Sequence, residues 1–202
     1  MKVRAKYRTI KELSEGTYKE KGSKFVALAH SCYTKAQAEE LLLHWKKKHP
    51  QSRHLCYAYR IGEQTYRVND DGEPNNSAGQ PILGQIDSFE LTNILIGVVR
   101  YFGGTKLGIG GLVTAYRTAA KEALHNGEII EMEIYDWFKL SFQYKDMPHI
   151  MNFLKKNNIA FTDKKFDISC ELILNLPLQN SAAIIGQMKK FDTLQIEKIG
   201  TY

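Results

Sequence analysis

The chain has 202 residues, 43% of them hydrophobic and 25% charged, with a formal net charge of +6 spread over both parts. That length suits two domains, each with its own core, and the composition is that of an ordinary globular protein rather than a disordered or fibrous one. No apolar run approaches the roughly 18 residues of a membrane span, and the charge without a clustered patch does not by itself argue for a nucleic-acid partner.

In chain order, the basic stretch Met1–Arg8 is followed by no apolar segment, so no secretory signal is expected. Lys24–Ser31 reads as a strand. Thr34 then opens a helix with Gln37 three residues on, a capping-box spacing, and Ala38, Leu41, Leu42 and Trp45 form its apolar stripe. Lys46, Lys47 and Lys48 fit a solvated helix end, where cations complement the dipole. Leu55–Ile61 and Gln64–Asn69 read as a hairpin around Gly62-Glu63, and Asp70–Pro81 as a long turn-rich loop. Ile94–Tyr101 is nearly continuously apolar, the pattern of a strand buried on both faces. Leu112–Leu124 is a helix, with Asn126-Gly127 as its stop.

Past Ile134 the pattern changes. Phe138, Leu140, Phe142 and Tyr144 alternate as one strand, and Asp146 stands as the cap of a helix with Pro148 in its first turn. Ile159–Phe166 and Ile168–Leu176 are two further strands. A helix through Ile184, Ile185, Met188 and Phe191 follows Pro177, and Leu194–Ile199 closes as a strand. The β-α-β-β-α-β order implies a ferredoxin-like sandwich over residues 134–202, behind a first domain over 1–133. No strand carries the paired aromatics of an RNA-recognition domain.

The stretch with most chemistry is Arg100–Gly111. Five of the fifteen glycines (Gly103, Gly104, Gly108, Gly110 and Gly111) fall there, between a buried strand and a helix. Such a turn exposes backbone N–H groups at a helix N-terminus, and Lys106, Arg100 and Arg117 would add charge for a phosphate. Gly103-x4-Gly108 is followed by Ile109 rather than Lys, and a dinucleotide pattern from Gly108 fails at Val113, so neither nucleotide fingerprint applies. An anion site and a simple packing turn remain alternatives.

Asp70, Asp71 and Glu73 put three carboxylates in four residues, as Mg²⁺ ligands, as acid and base, as partners of Arg100 or Lys106, or as turn formers. His54 and Cys56 would share a strand face, as a nucleophilic dyad or as a histidine beside a core thiol. Ser77 reads as a helix N-cap rather than a nucleophile. Cys32, Cys56 and Cys170 show no C-x-x-C spacing, which argues against a disulfide framework or zinc and fits a reducing, cytoplasmic compartment. No catalytic residue, metal or cofactor is assigned.

Lys21-Gly-Ser-Lys-Phe25, His54–Ala58, Asp70-Asp-Gly-Glu-Pro74 with Ser77-Ala-Gly79 and Pro81, and Arg100–Leu112 with Ala115-Tyr116 resemble, in order, the motifs of the YigZ/IMPACT family. The resemblance spans roughly residues 1–130, and the remainder is similar in pattern to a domain of elongation factor G. It implies an α+β chain whose first domain is a two-layer β-α fold of the ribosomal-protein and elongation factor G domain IV type. It also implies a link to translation, since eukaryotic relatives regulate translation by binding a partner of a stress-responsive kinase. The N-terminal RWD domain of those relatives is not found in this sequence. Three functions are expected in order: a module contacting RNA or ribosome phosphates, a regulatory adaptor for a protein partner, and an enzyme on a phosphate or nucleotide ligand using the loop 70–73.

Overall fold

The computed structural model describes residues 5–166 and 169–201. They divide into two compact units: Arg8–Met132, and Glu133–Tyr202 together with the segment ending at Tyr7. The expected division at residue 133 would count that segment with the first unit instead. Met1–Arg4 of the basic N-terminal stretch, and Ile168 of an expected strand, lie outside the described residues.

The chain runs β1 (Lys6–Ile10), β2 (Ser14–Glu20), β3 (Ser23–Ser31), α1 (Lys35–Lys48), β4 (His54–Ile61), β5 (Thr65–Asn69), α2 (Gly79–Ser88), β6 (Ile94–Tyr101), α3 (Gly108–Asn126) and β7 (Ile129–Glu133). Strands β2-β3-β6-β4-β5 form one sheet, antiparallel throughout, and β1 pairs with β7 in a separate two-stranded sheet. Seven of the eight residues of β6 are buried, which requires cover on both faces of the sheet. On one face α2 and α3 pack on Phe25, Ala27, Cys56, Ala58, Ile96 and Val98. On the other, Ala38 and Trp45 of α1 pack on Leu28, Leu55, Tyr59, Leu95 and Val99. The unit is therefore three layers deep rather than the expected two, because the apolar run of β6 leaves neither face fit for water. Gly97 makes room for Trp45: a Cβ there would lie 2.8 Å from the indole ring.

Local chemistry sets the helix ends. The Thr34 side chain accepts from Gln37 N at the start of α1, while Gln37 reaches back to Tyr33 N, one residue before the N–H a capping box would use. Helix α2 begins inside the stretch expected to be loop. Its N-cap position is Ala78, without a side-chain cap, and Ser77 does not serve: its hydroxyl donates to Pro74 O at 2.6 Å. Asp70 takes over, with Oδ1 accepting from Ala78 N and Gly79 N at 2.9 and 2.8 Å. Pro81 is tolerated in the first turn of α2 because the N–H it lacks has no intrahelical partner there.

The second unit runs β8 (Tyr135–Gln143), a 3₁₀ turn over Tyr144–Asp146, α4 (Met147–Lys156), β9 (Phe161–Phe166), β10 (Ser169–Pro177), α5 (Leu178–Met188) and β11 (Gln195–Thr201). Its sheet has the order β11-β8-β10-β9, all antiparallel. The alternation in β8 buries Phe138, Leu140 and Phe142 against Ile150 and Leu154 of α4 and Met188 of α5. Asp146 holds the N-cap position of α4 but makes no side-chain cap; it accepts from the Thr193 hydroxyl instead. Among the described residues no helix is long and apolar enough to cross a membrane.

Asp136, 4% exposed at the start of β8, accepts from Ser181, Thr201 and Lys198, each at 2.6 Å. Burial alone would push this carboxyl up; the bonds from Lys198, Ser181 and Thr201 outweigh it and hold the group below its ordinary range. Its stabilising contribution is present above the unfolded carboxyl value, about 3.9, and is lost as pH falls through the lower folded value. Asp136→Asn is therefore expected to speed amide exchange in β8 and β11 at pH 7, with the gap to the parent narrowing as pH falls below about 3.9.

Candidate functional site

The first unit's sheet delivers its chemistry at the C-terminal end of β6. Arg100 stands there opposite His54 of β4 in the antiparallel register, and the Arg53 N–H donates to Arg100 O at 3.2 Å. After β6 the chain crosses Phe102–Leu107 and enters α3 at Gly108. The glycine-rich segment is thus turn in its first half only; Gly108, Gly110 and Gly111 form the first turn of α3, four residues earlier than the expected helix start. No side chain caps α3 at Leu107, so the N–H groups of its first turn are left for an outside acceptor.

Arg100 is 6% exposed, and its guanidinium donates through Nη1 to Glu73 Oε1 at 2.6 Å. Tyr116 of α3 donates to the same oxygen at 2.8 Å. Behind it, the Cys56 thiol lies 3.3 Å from the Tyr116 oxygen and 3.0 Å from Asp70 O. The result is a buried chain from Cys56 through Tyr116 and Glu73 to Arg100. Burial pushes both the Cys56 thiol and the Tyr116 phenol up from their ordinary values, so each stays protonated and acts as a donor.

At the Glu73–Arg100 end of this chain lies a cleft of about 400 Å³. Its walls bring together Arg53, His54, Glu73, Arg100 and Lys106, with Phe102, Leu107, Gly108 and Ile109 along the α3 side. Arg53 and Arg100 lie with their guanidinium carbons 5.4 and 5.5 Å from the centre of the Phe102 ring. Three cations against one already paired carboxylate leave the cleft with an excess of positive charge. The Nε of Arg100 is buried and has no hydrogen-bond partner.

Of the residues singled out in the sequence, Arg100, Lys106, Gly108, His54 and Glu73 line this cleft. Gly103, Gly104, Gly110, Gly111 and Arg117 do not; Arg117 is exposed further along α3. Asp71 accepts from Leu55 N at 2.7 Å through Oδ2, and Asp70 is held by backbone N–H groups of the loop and of α2. Those two carboxylates therefore organise the loop. Among the described residues no three His, Cys, Asp or Glu side chains group as a metal site. The Cys56–His54 dyad does not form: His54 Nδ1 meets Asp71 O at 2.7 Å, while Cys56 points into the core. Since a carbonyl only accepts, Nδ1 carries the proton. Arg53 and Phe102 were not legible as site residues, because only the pairing of β4 with β6 brings them together.

A family model, the Impact N-terminal domain, matches residues 21–124, more than half of the chain and the whole of the cleft. The chain belongs to the IMPACT family. The IMPACT family member YvyE of Bacillus subtilis (strain 168) is 32% identical over 167 residues, covering 82% of this chain and 77% of the relative. The IMPACT family member YigZ of Escherichia coli (strain K12) is 39% identical over 109 residues, 52% of this chain and 53% of its own length. A crystal structure of a hypothetical protein is similar at a TM-score of 0.77 and 25% identity, over 98% of this chain and 99% of that one.

Proposed function

We propose that this protein is a translation-associated binding and regulatory protein that meets RNA or ribosome phosphates at the cleft before α3. The carrying observation is the convergence of Arg53, Arg100 and Lys106 on the uncapped N-terminus of a 19-residue helix. Membership of the IMPACT family, with the link to translation its resemblance implies, supports the same reading. We take the second unit as a ferredoxin-like module similar to a domain of elongation factor G; its antiparallel β11-β8-β10-β9 order supports this. The first unit remains assigned to the ribosomal-protein type, with α1 as an added layer. Buried thiols at Cys32, Cys56 and Cys170, with no disulfide between them, fit a cytoplasmic setting.

Titration of a labelled single-stranded RNA against the full chain at several salt concentrations tests the reading. Affinity should fall with salt, and Lys106→Ala or Arg53→Ala should weaken binding and reduce the log–log slope by about 0.7 each. Slopes and affinities that ignore both substitutions would defeat it. One observation favours a second reading, an enzyme acting on a phosphate ligand: Glu73 and Lys106 line the same cleft. The binding reading is preferred because Glu73 is already held by Arg100 and Tyr116. Turnover of a phosphate ester that is abolished by Glu73→Gln would reverse that preference.

A further inference from the structure

The cleft is not only basic. Phe102 is 39% exposed and Ile109 is 63% exposed, both on its α3 side. Side chains of this size usually hide their apolar surface, and here the aromatic one is pinned by two guanidiniums. An inorganic anion would use Arg53, Lys106 and the first turn of α3 but leave Phe102 and Ile109 without a purpose. A ligand that satisfies both walls has an anionic group beside a flat, apolar one.

We infer that the occupant is a nucleoside phosphate presented as an unpaired nucleotide, its base against Phe102 and its phosphate at Lys106 and the α3 N-terminus. This rests on reading the cleft as a phosphate site and adds the base. The aromatic ring offers a stacking surface that tolerates any base, and the flanking arginines add cation–π attraction. A volume of about 400 Å³ lies low in the small-ligand range of roughly 300–1,000 Å³ and takes one residue of a chain, not a duplex. Paired bases in a duplex have no free face to offer, so strandedness is part of the inference. Arg100, 94% buried at the inner wall, keeps its Nε without a hydrogen-bond partner, so the wall beside Phe102 is not fully satisfied by the protein itself. The chemistry is common to a free mononucleotide and to a nucleotide within single-stranded RNA.

The test is competition binding to the full chain with four probes: a five-nucleotide single strand, the same sequence as a duplex, AMP, and inorganic pyrophosphate. The single strand or AMP should bind well above both duplex and pyrophosphate. A stronger single strand assigns the source to RNA, and an AMP of equal strength assigns it to the free nucleotide. Phe102→Leu should weaken binding between about fivefold and about a hundredfold with the salt slope unchanged, and Phe102→Trp should retain it. Lys106→Ala should instead change the slope. Equal binding of duplex or pyrophosphate, or a Phe102→Leu protein that binds normally, overturns the base contact while leaving a phosphate site. Loss of the Lys106 effect as well would overturn the phosphate reading itself.

Discussion

Arg100→Ala is expected to lower the stability of the Arg8–Met132 unit by about 3–5 kcal/mol. The guanidinium and the Glu73 carboxylate are 8% and 5% exposed as side chains and meet at 2.6 Å. Removing one leaves the other charged and dry, and the loss is that of an uncompensated buried ion rather than of one attractive contact. Tyr116 softens the loss for Glu73 by keeping one hydrogen bond, so Arg100→Ala should be somewhat less damaging than Glu73→Ala, which strands Arg100 and leaves the Tyr116 O–H without its acceptor as well. The pair Glu73→Leu with Arg100→Leu should cost far less than the two single changes added together. Denaturant unfolding read by amide exchange in β6 and α3 would measure all three. Single changes that each cost under about 1 kcal/mol, the value of a surface pair, would show that the contact is solvated rather than buried. The same reasoning makes Arg100 a poor probe of ligand binding, because its loss damages the wall on which any ligand rests. Lys106 and Arg53, both exposed, separate binding from folding.

What the sequence revealed and what it hid follow from distance along the chain. The strand β6 was legible because eight successive apolar-rich positions leave no other local answer, and α1 because Thr34, Gln37 and Trp45 mark its cap and buried face. The start of α3 was hidden. Glycine at 108, 110 and 111 is poor helix material, and the helix they begin is anchored in the core by the later Leu112, Ala115, Tyr116, Ala119 and Ala123. Ser77 looked like a cap from its type and place, yet Asp70, eight residues before Ala78, does the capping across a turn no local pattern specifies. A carboxylate near Arg100 was among the expectations, and Glu73 fills that role; which of the three acids it would be depended on the fold of the loop. Arg53 and Phe102 were missed for a similar reason, since their meeting depends on the register of β4 against β6.

Gly103→Ala is expected to destabilise the same unit by about 1–3 kcal/mol or more, and to disable the cleft beyond that loss. A Cβ at Gly103 would stand 1.9 Å from the carbonyl carbon of Gly22 and 2.2 Å from Ser23 N, all backbone that cannot swing aside. Gly22 is itself fixed in the left-handed region at φ +79°, and the Ser23 hydroxyl accepts the Gly103 N–H at 3.1 Å. The two motifs that stood apart in the sequence, Lys21–Phe25 and Arg100–Leu112, are thereby one construction: the β2–β3 turn is the seat on which the segment leaving β6 rests. Any larger residue at 103 must lift that segment, and Phe102 and Lys106 move with it. Gly104→Ala provides the contrast. A Cβ there meets nothing within 4 Å, but the residue sits at φ +89°, so its cost is backbone strain of roughly 1–3 kcal/mol without the collision. Thermal unfolding and single-strand binding of both variants would separate the two effects. If Gly103→Ala binds as tightly as the parent at a temperature where it is folded, the seat on Gly22 does not position the cleft.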